Sequence, residues 1–395
     1  MKNIYKHIFL ALVVGLIVGA IDALFGRVLI WITDFRTIHY LWLLPFLPLA
    51  GLLITWLYHR FNKESLGGMT LIFETRLDKR KDIPLALIPL VMVGTWITHL
   101  FGGSAGREGV AVQIGATISH RLGKKCHLPD NSKILLVTGM AAGFAGLFQT
   151  PLAATFFAME VVIAGYLDVY ALLPAILASY VACFTSSFLG LPKFAIDLQS
   201  TLSLHSVHVI GSILILGIAF GLTGRLFASV LAKAKTWMKH AFPNPYRRIG
   251  LVSIPLAIVL ILLFGGRYSG LGTNLITNSF THQTIYAWDW ILKLGLTILT
   301  LSIGFQGGEV TPLFSIGASL GVALGSLLGL DPLLCAALGY AAVFGSATNT
   351  LLAPIFIGLE VFGGVNMIPF TLVCIIAYLV NGNHSIYTAQ SKVIY

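Results

Sequence analysis

Apolar residues in this chain come in long blocks with short polar or glycine-rich interruptions between them. The blocks lie near 8–32, 40–58, 83–101, 134–164, 168–192, 207–232, 249–266, 285–305, 311–330, 333–362 and 367–380. A helix needs about 20 apolar residues to cross a bilayer. Backbone polar groups in lipid must also be satisfied within the chain, which favours helices. The pattern therefore predicts an all-α polytopic membrane protein with about ten candidate spans. Lys2 and Lys6 precede the first block, which runs to Trp31 with no small-residue cleavage site behind it. That predicts a first membrane helix rather than a removed leader, with the N-terminus in the cytoplasm. Asp22, inside this block, is expected to face protein rather than lipid.

Composition agrees with the pattern. Hydrophobic residues make up 57% and charged residues 10% of 395, and the mean hydropathy is +0.88. A soluble domain carries roughly 25% charged residues, so a soluble globular protein is excluded. The net charge of +10 is uneven: basic residues cluster in Arg76–Lys81, in Arg121–Lys133 and from Lys233 through Arg248. Excess Lys and Arg marks cytoplasmic loops, which places residues 59–82 inside and brings the next block outward to Glu108. No nucleic-acid module accompanies the charge, so no nucleic-acid partner is expected. Cys126, Cys183, Cys335 and Cys374 share no ligand-like spacing, and His-Glu-x-x-His does not occur. We expect no metal, no cofactor and no enzyme activity.

The interruptions carry the candidate chemistry. Gly102-Gly103-Ser104-Ala105-Gly106-Arg107-Glu108-Gly109-Val110 separates two apolar blocks at membrane depth. A glycine-rich break that opens a helix aims free N–H groups and the positive end of the helix dipole at an anion. Irregular backbone at that depth is tolerated only where it lines a cavity or lies in protein. Glu108 is then an ionisable group beside an anion site, and the natural reading is a gate. A second glycine break, Leu66-Gly67-Gly68-Met69, opens a short helical stretch on the cytoplasmic side.

The chain also repeats itself. Gly139 to Glu160 matches Gly339 to Glu360 at an offset of 200, and Ile114-Gly115-Ala116 matches Ile316-Gly317-Ala318 at 202. Gly68, Leu71 and Ile72 match Gly272, Leu275 and Ile276 at 204. An ordered set of three matches predicts two related halves, residues 1–200 and 201–395, with a transport site between them. The gate motif aligns with Gly308-Glu309-Val310-Thr311-Pro312, so Glu108 falls opposite Val310. The two halves share a backbone plan but not the carboxylate.

At these residues the sequence resembles the CLC family of chloride channels and anion/proton antiporters. The family's Gly-Lys/Arg-Glu-Gly-Pro gate is matched by Gly106-Arg107-Glu108-Gly109-Val110 and its Gly-x-Phe-x-Pro segment by Gly308–Pro312. Its C-terminal anion-site tyrosine is matched by Tyr387 in His384-Ser385-Ile386-Tyr387. Met69 stands where chloride-type members have a serine. With Gly-Gly-Glu-Val-Thr-Pro, it is similar to the bacterial fluoride-exporting branch. Val161 follows Glu160 where many proton-coupled chloride members have a second glutamate, so their inner proton route does not carry over. The resemblance implies two inverted repeats of short, tilted, broken helices and a homodimer with one pathway per subunit. It also implies a plasma-membrane location and no cytosolic regulatory domain.

The expected activity is fluoride/proton antiport that exports fluoride, the alternative being a chloride/proton antiporter or passive chloride channel. The candidate gating and proton-transfer residues are Glu108 and Glu309. The candidate anion-binding residues are Met69, Gly106, Arg107, Gly109, Val110, Val310, Thr311 and Tyr387. Bland readings stand beside several of them. Glu309 is either a proton relay or a buried cap. The Thr311 hydroxyl serves the ion or Glu309, or caps a helix. Met69 is a site residue or core filler, and Tyr387 an anion ligand or an interfacial aromatic. Arg107 is expected to satisfy nearby carbonyls rather than pair with Glu108, since adjacent helical residues do not face each other. Glu160 and Glu360 are expected to be structural.

Overall fold

The computed structural model describes residues 2–128, 132–198, 200–202 and 206–393. The first half contains α1 (Lys2–Leu43), α2 (Leu47–Phe61), α3 (Met69–Arg76), α4 (Leu87–Leu100), α5 (Glu108–Lys125), α6 (Lys133–Phe148), α7 (Pro151–Glu160) and α8 (Leu172–Phe188). The second contains α9 (Val207–Ala241), α10 (Pro245–Leu262), α11 (Thr273–Phe280), α12 (Asp289–Ile303), α13 (Val310–Leu328), α14 (Pro332–Thr348), α15 (Leu352–Phe362) and α16 (Met367–Asn381). Among the described residues the fold is all-α apart from one two-residue parallel pairing, β1 (Ile163–Ala164) with β2 (Ser391–Lys392).

Several expected spans are not single helices. The 134–164 block divides into α6 and α7, because Gln149 takes the left-handed conformation and Pro151 restarts the helix. The 333–362 block divides in the same way at Asn349, also left-handed. Among the described residues, Val169–Phe188, Val207–Ala241, Pro245–Leu262, Val310–Leu328 and the stretch Tyr5–Phe61 are long and apolar enough to cross a membrane. Other apolar helices, such as the 10–17-residue α4, α6 and α14, are too short to do so alone. The first helix runs well past the expected 8–32, to Leu43, with a kink at His39 (φ −110°). Asp22 is fully buried, as expected.

The helices nearest the centre pack through glycine. A Cβ on Gly115 of α5 would run into the carbonyl oxygen of Gly139 in α6, and a Cβ on Gly139 into the carbonyl of Gly115. Gly317 of α13 and Gly339 of α14 make the same reciprocal contact. Small residues let helix backbones approach this closely in lipid. The repeat read from the sequence thus returns as a repeated contact.

Glu160 and Glu360 take structural positions that mirror each other. Glu160 accepts hydrogen bonds from the backbone N–H groups of Leu351, Leu352 and Ala353 at 3.0, 3.1 and 2.8 Å. Glu360 accepts from Leu152 and Ala153 at 3.0 and 2.9 Å. Each carboxylate satisfies orphan donors at the start of a helix in the other half. Between these caps, Phe156 and Phe356 stack with ring centroids 4.4 Å apart.

Candidate functional site

The site is built where two broken segments meet. After α4, Gly102 turns the chain with φ +87°, and Gly103 donates its N–H to the Thr98 carbonyl at 2.8 Å. After α12, Gly304 turns it with φ +117°. The two breaks then pair as an antiparallel bridge: Gly106 N–H reaches Gly308 O at 2.5 Å, and Gly308 N–H reaches Gly106 O at 2.8 Å. A Cβ on Gly106 would lie 2.9 Å from Pro312 Cδ and 3.0 Å from the Gly308 carbonyl oxygen. Only glycine allows this approach. The bridge sets the starts of α5 and α13 against each other.

Glu108 is the first residue of α5 and is fully buried. Its carboxylate lies against the first turn of α13. Thr311 N–H donates to it at 3.1 Å, and the Thr311 hydroxyl lies 2.7 and 2.5 Å from its two oxygens. Arg107 N–H adds a contact at 3.3 Å. The carboxylate therefore takes the place that a small anion would take at a helix N-terminus. Gly109 follows Glu108 into α5, and Val110 and Val310 are buried, which keeps the surroundings apolar.

Two expectations about polar partners need correction. The Thr311 hydroxyl serves Glu108, not Glu309. Arg107 pairs with Glu108, Nε to Oε1, at 3.7 Å, and its buried Nε has no hydrogen-bond partner. The rule that adjacent helical residues face apart does not reach Arg107, because it is the N-cap, with φ −132° and ψ −24°.

Beside the bridge lies a cavity of about 640 Å³ whose lining includes Met69, Phe73, Gln113, Lys235, Glu309 and Tyr387. Met69 opens α3 directly after Gly68, whose φ is +50°. Tyr387 is buried with its ring 5.2 Å from that of Phe73, and its hydroxyl has no hydrogen-bond partner. The Gln113 side-chain oxygen is likewise buried and unpartnered. Glu309 is the N-cap of α13 but makes no side-chain cap bond, so the cap reading fails. It forms an ion pair with Lys235 at 3.4 Å. Lys239 and Arg248 also line the cavity, giving its wall a positive balance.

The structure thus brings Glu108, Arg107, Thr311, Val110 and Val310 together at the bridge. It collects Met69, Glu309 and Tyr387 around the neighbouring cavity, whose lining does not include Glu108. Sequence reasoning missed Gln113 and Lys235. Gln113 lies five residues after Glu108, beyond the glycine-rich break itself. Lys235 lies in a basic cluster read only as a topology signal.

A family model described as "Voltage gated chloride channel" matches residues 50–382. The chain belongs to that family. Among its relatives, the chloride/fluoride channel protein of Pseudomonas syringae pv. tomato is 37% identical over 396 residues, covering 98% of this chain and 86% of the relative. The crystal structure of a CLC-type fluoride/proton antiporter superposes with a TM-score of 0.98 at 53% identity, covering 100% of this chain and 99% of the other. A slow cyanobacterial Cl⁻/H⁺ antiporter superposes at 0.84 with 23% identity, covering 97% and 96%, which speaks to the fold alone. Membership of the channel family and its all-helical membrane fold agree with the resemblance read from the gate motif.

Proposed function

We propose that this chloride-channel-family protein is a fluoride/proton antiporter that exports fluoride. The observation that carries the reading is the Glu108 carboxylate, buried at the start of α13 in the place of an anion. Ionised, it fills the site and repels a second anion. Protonated, it loses its claim on the helix dipole and the Thr311 donors, and it withdraws. One proton is thereby tied to the passage of one anion, which makes the protein a secondary active transporter. The 53% identical antiporter of known structure supports the choice of fluoride.

Fluoride is small and strongly hydrated, so a selective site must replace its water with close donors without trapping it. Met69 at the start of α3, Gly109, Val310 and the free hydroxyl of Tyr387 offer such donors and no full positive charge, while Gly106, whose N–H is held by the Gly308 carbonyl, sets the approach of the two breaks. Glu309, paired with Lys235, passes protons between the cavity and Glu108. The basic loops face the cytoplasm, and the N-terminus lies on that side. The cavity beside Met69 is then the inner mouth, in the plasma membrane. A weak acid enters as neutral HF and is held inside as the anion, so export driven by inward protons relieves it. The halves 1–200 and 201–395 are inverted relative to each other, and two copies associate with one pathway each.

A second reading, chloride as the transported anion, draws on the Pseudomonas syringae relative described as a chloride/fluoride channel protein. Purified protein in liposomes decides between them. An outward fluoride gradient should drive protons inward against their own gradient, and chloride should not. Proton movement with chloride alone would reverse the choice of anion, and anion flux without proton movement would remove antiport.

A further inference from the structure

Lys293 lies inside the membrane block 285–305 and is fully buried in α12. Its Nζ donates to Ser104 Oγ at 2.8 Å, Gly270 O at 2.7 Å and Tyr268 O at 3.1 Å. All three partners are neutral. A buried lysine whose partners include no carboxylate is an unfavourable residue to keep for packing alone, and an intramembrane ionisable residue marks function by default.

Its partners say what it holds. Ser104 belongs to the break that leads into Glu108, and Gly270 O also accepts from Ala105 N–H at 3.3 Å. Thr297 and Thr300 continue the same face of α12 at spacings of four and three. Thr297 Oγ1 lies 2.8 Å from Ser104 Oγ, and Thr300 Oγ1 accepts from Ser104 N–H at 3.2 Å. His99 closes the other side, its Nε2 3.0 Å from Ala105 O.

The repeat gives an internal control. At the offset of 202 set by the Gly106–Gly308 bridge, Thr297 and Thr300 correspond to Thr95 and Thr98, but Lys293 corresponds to Val91. The lysine is present only in the stripe that touches the break carrying Glu108. Val91 lines the cavity on the other side.

We propose that Lys293 is a positioning residue of the gate: it anchors Ser104 and, through Gly270, Ala105, so that Glu108 is held in register with the first turn of α13. The consequence for transport rests on the antiport reading above. With the anchor gone, the carboxylate competes less well for its seat, and anions pass without a proton.

The test compares wild type, Lys293→Met and Ser104→Ala in liposomes, reading the protons moved per fluoride from the reversal potential under opposed gradients. Amide hydrogen exchange of residues 103–107 is read beside that of the equivalent break at 305–309. We expect Lys293→Met to lower the proton-to-fluoride ratio at least twofold and to speed exchange of 103–107 about tenfold, with 305–309 unchanged. Ser104→Ala should move both readouts less, in the same direction, and it decides the matter should Lys293→Met not fold. A wild-type ratio with wild-type exchange in either folded variant would overturn the proposal, as would equal loosening of both breaks. If wild type itself couples no protons, the antiport reading fails, and the exchange comparison still judges the anchor.

Discussion

At the residue scale, the two unpartnered buried atoms at the cavity wall are the informative ones. The Tyr387 hydroxyl is buried without a partner in a protein whose other buried hydroxyls mostly bond to backbone carbonyls one helical turn back. A buried donor left unsatisfied is unfavourable by about 1–3 kcal/mol, a penalty that binding an anion there would remove. Tyr387→Phe should therefore leave the melting temperature unchanged or slightly raised, while the fluoride KM rises about tenfold, the worth of one hydrogen bond to a charged partner. A variant that loses stability and keeps its KM would make Tyr387 a packing residue. The gate itself was legible in the sequence because Glu108 is an acid among glycines, which neither packing nor solvation accounts for. Its partners were not legible. Thr311 reaches Glu108 across 203 positions, and Arg107 reaches it only because the cap residue departs from helical geometry.

At the element scale, glycine is used in two ways that the sequence does not separate. Gly115 sits where α5 and α6 touch backbone to backbone, whereas a Cβ on Gly295 in α12 would meet nothing within 4 Å. Gly295→Ala should be neutral or stabilise by about 0.5–1 kcal/mol, since alanine is the better helix former. Gly115→Ala gains the same propensity, but overpacking against backbone costs about 1–3 kcal/mol or more and wins. Thermal unfolding in detergent should show a lower midpoint for Gly115→Ala alone; equal midpoints would mean that the helix pair can move apart.

The helix breaks are where sequence periodicity fails, and the cause is local. Gln149 and Asn349 end helices by taking positive φ, at 58° and 57°. Neither conformation shows in a hydropathy profile, so 134–164 and 333–362 read as unbroken runs. The ordered repeat was legible because glycine contacts and caps fall at fixed offsets. Lys293 could have been found as the one basic residue in the block 285–305, but block reading averages such residues away.

At the scale of the whole molecule, orientation in the bilayer decides which side the cavity opens to. Cys126 is exposed in the basic loop after α5, while Cys335 and Cys374 are buried. A membrane-impermeant maleimide should label Cys126 in inside-out vesicles and not in intact cells. Labelling from outside would invert the topology and with it the assignment of the Met69 cavity to the cytoplasm. The same molecule-wide plan explains why a symmetric scaffold can perform a directional task. The bridge joins equivalent positions of the two breaks, and the glycine pairs and the reciprocal carboxylate caps are duplicated. The ionisable residues Glu108 and Lys293 at one break are not, and Glu309 marks the other break with Lys235 from α9.

The central claim is that the Glu108 carboxylate both occupies the anion's place and carries the proton, and Glu108→Gln in liposomes tests it most directly. Glutamine keeps the size and hydrogen-bonding reach of the side chain but cannot exchange a proton. Simultaneous fluoride and pH recording should show proton movement abolished, with no uphill transport of either ion by the other. A Glu108→Gln protein that still drove protons against their gradient with fluoride would contradict the account.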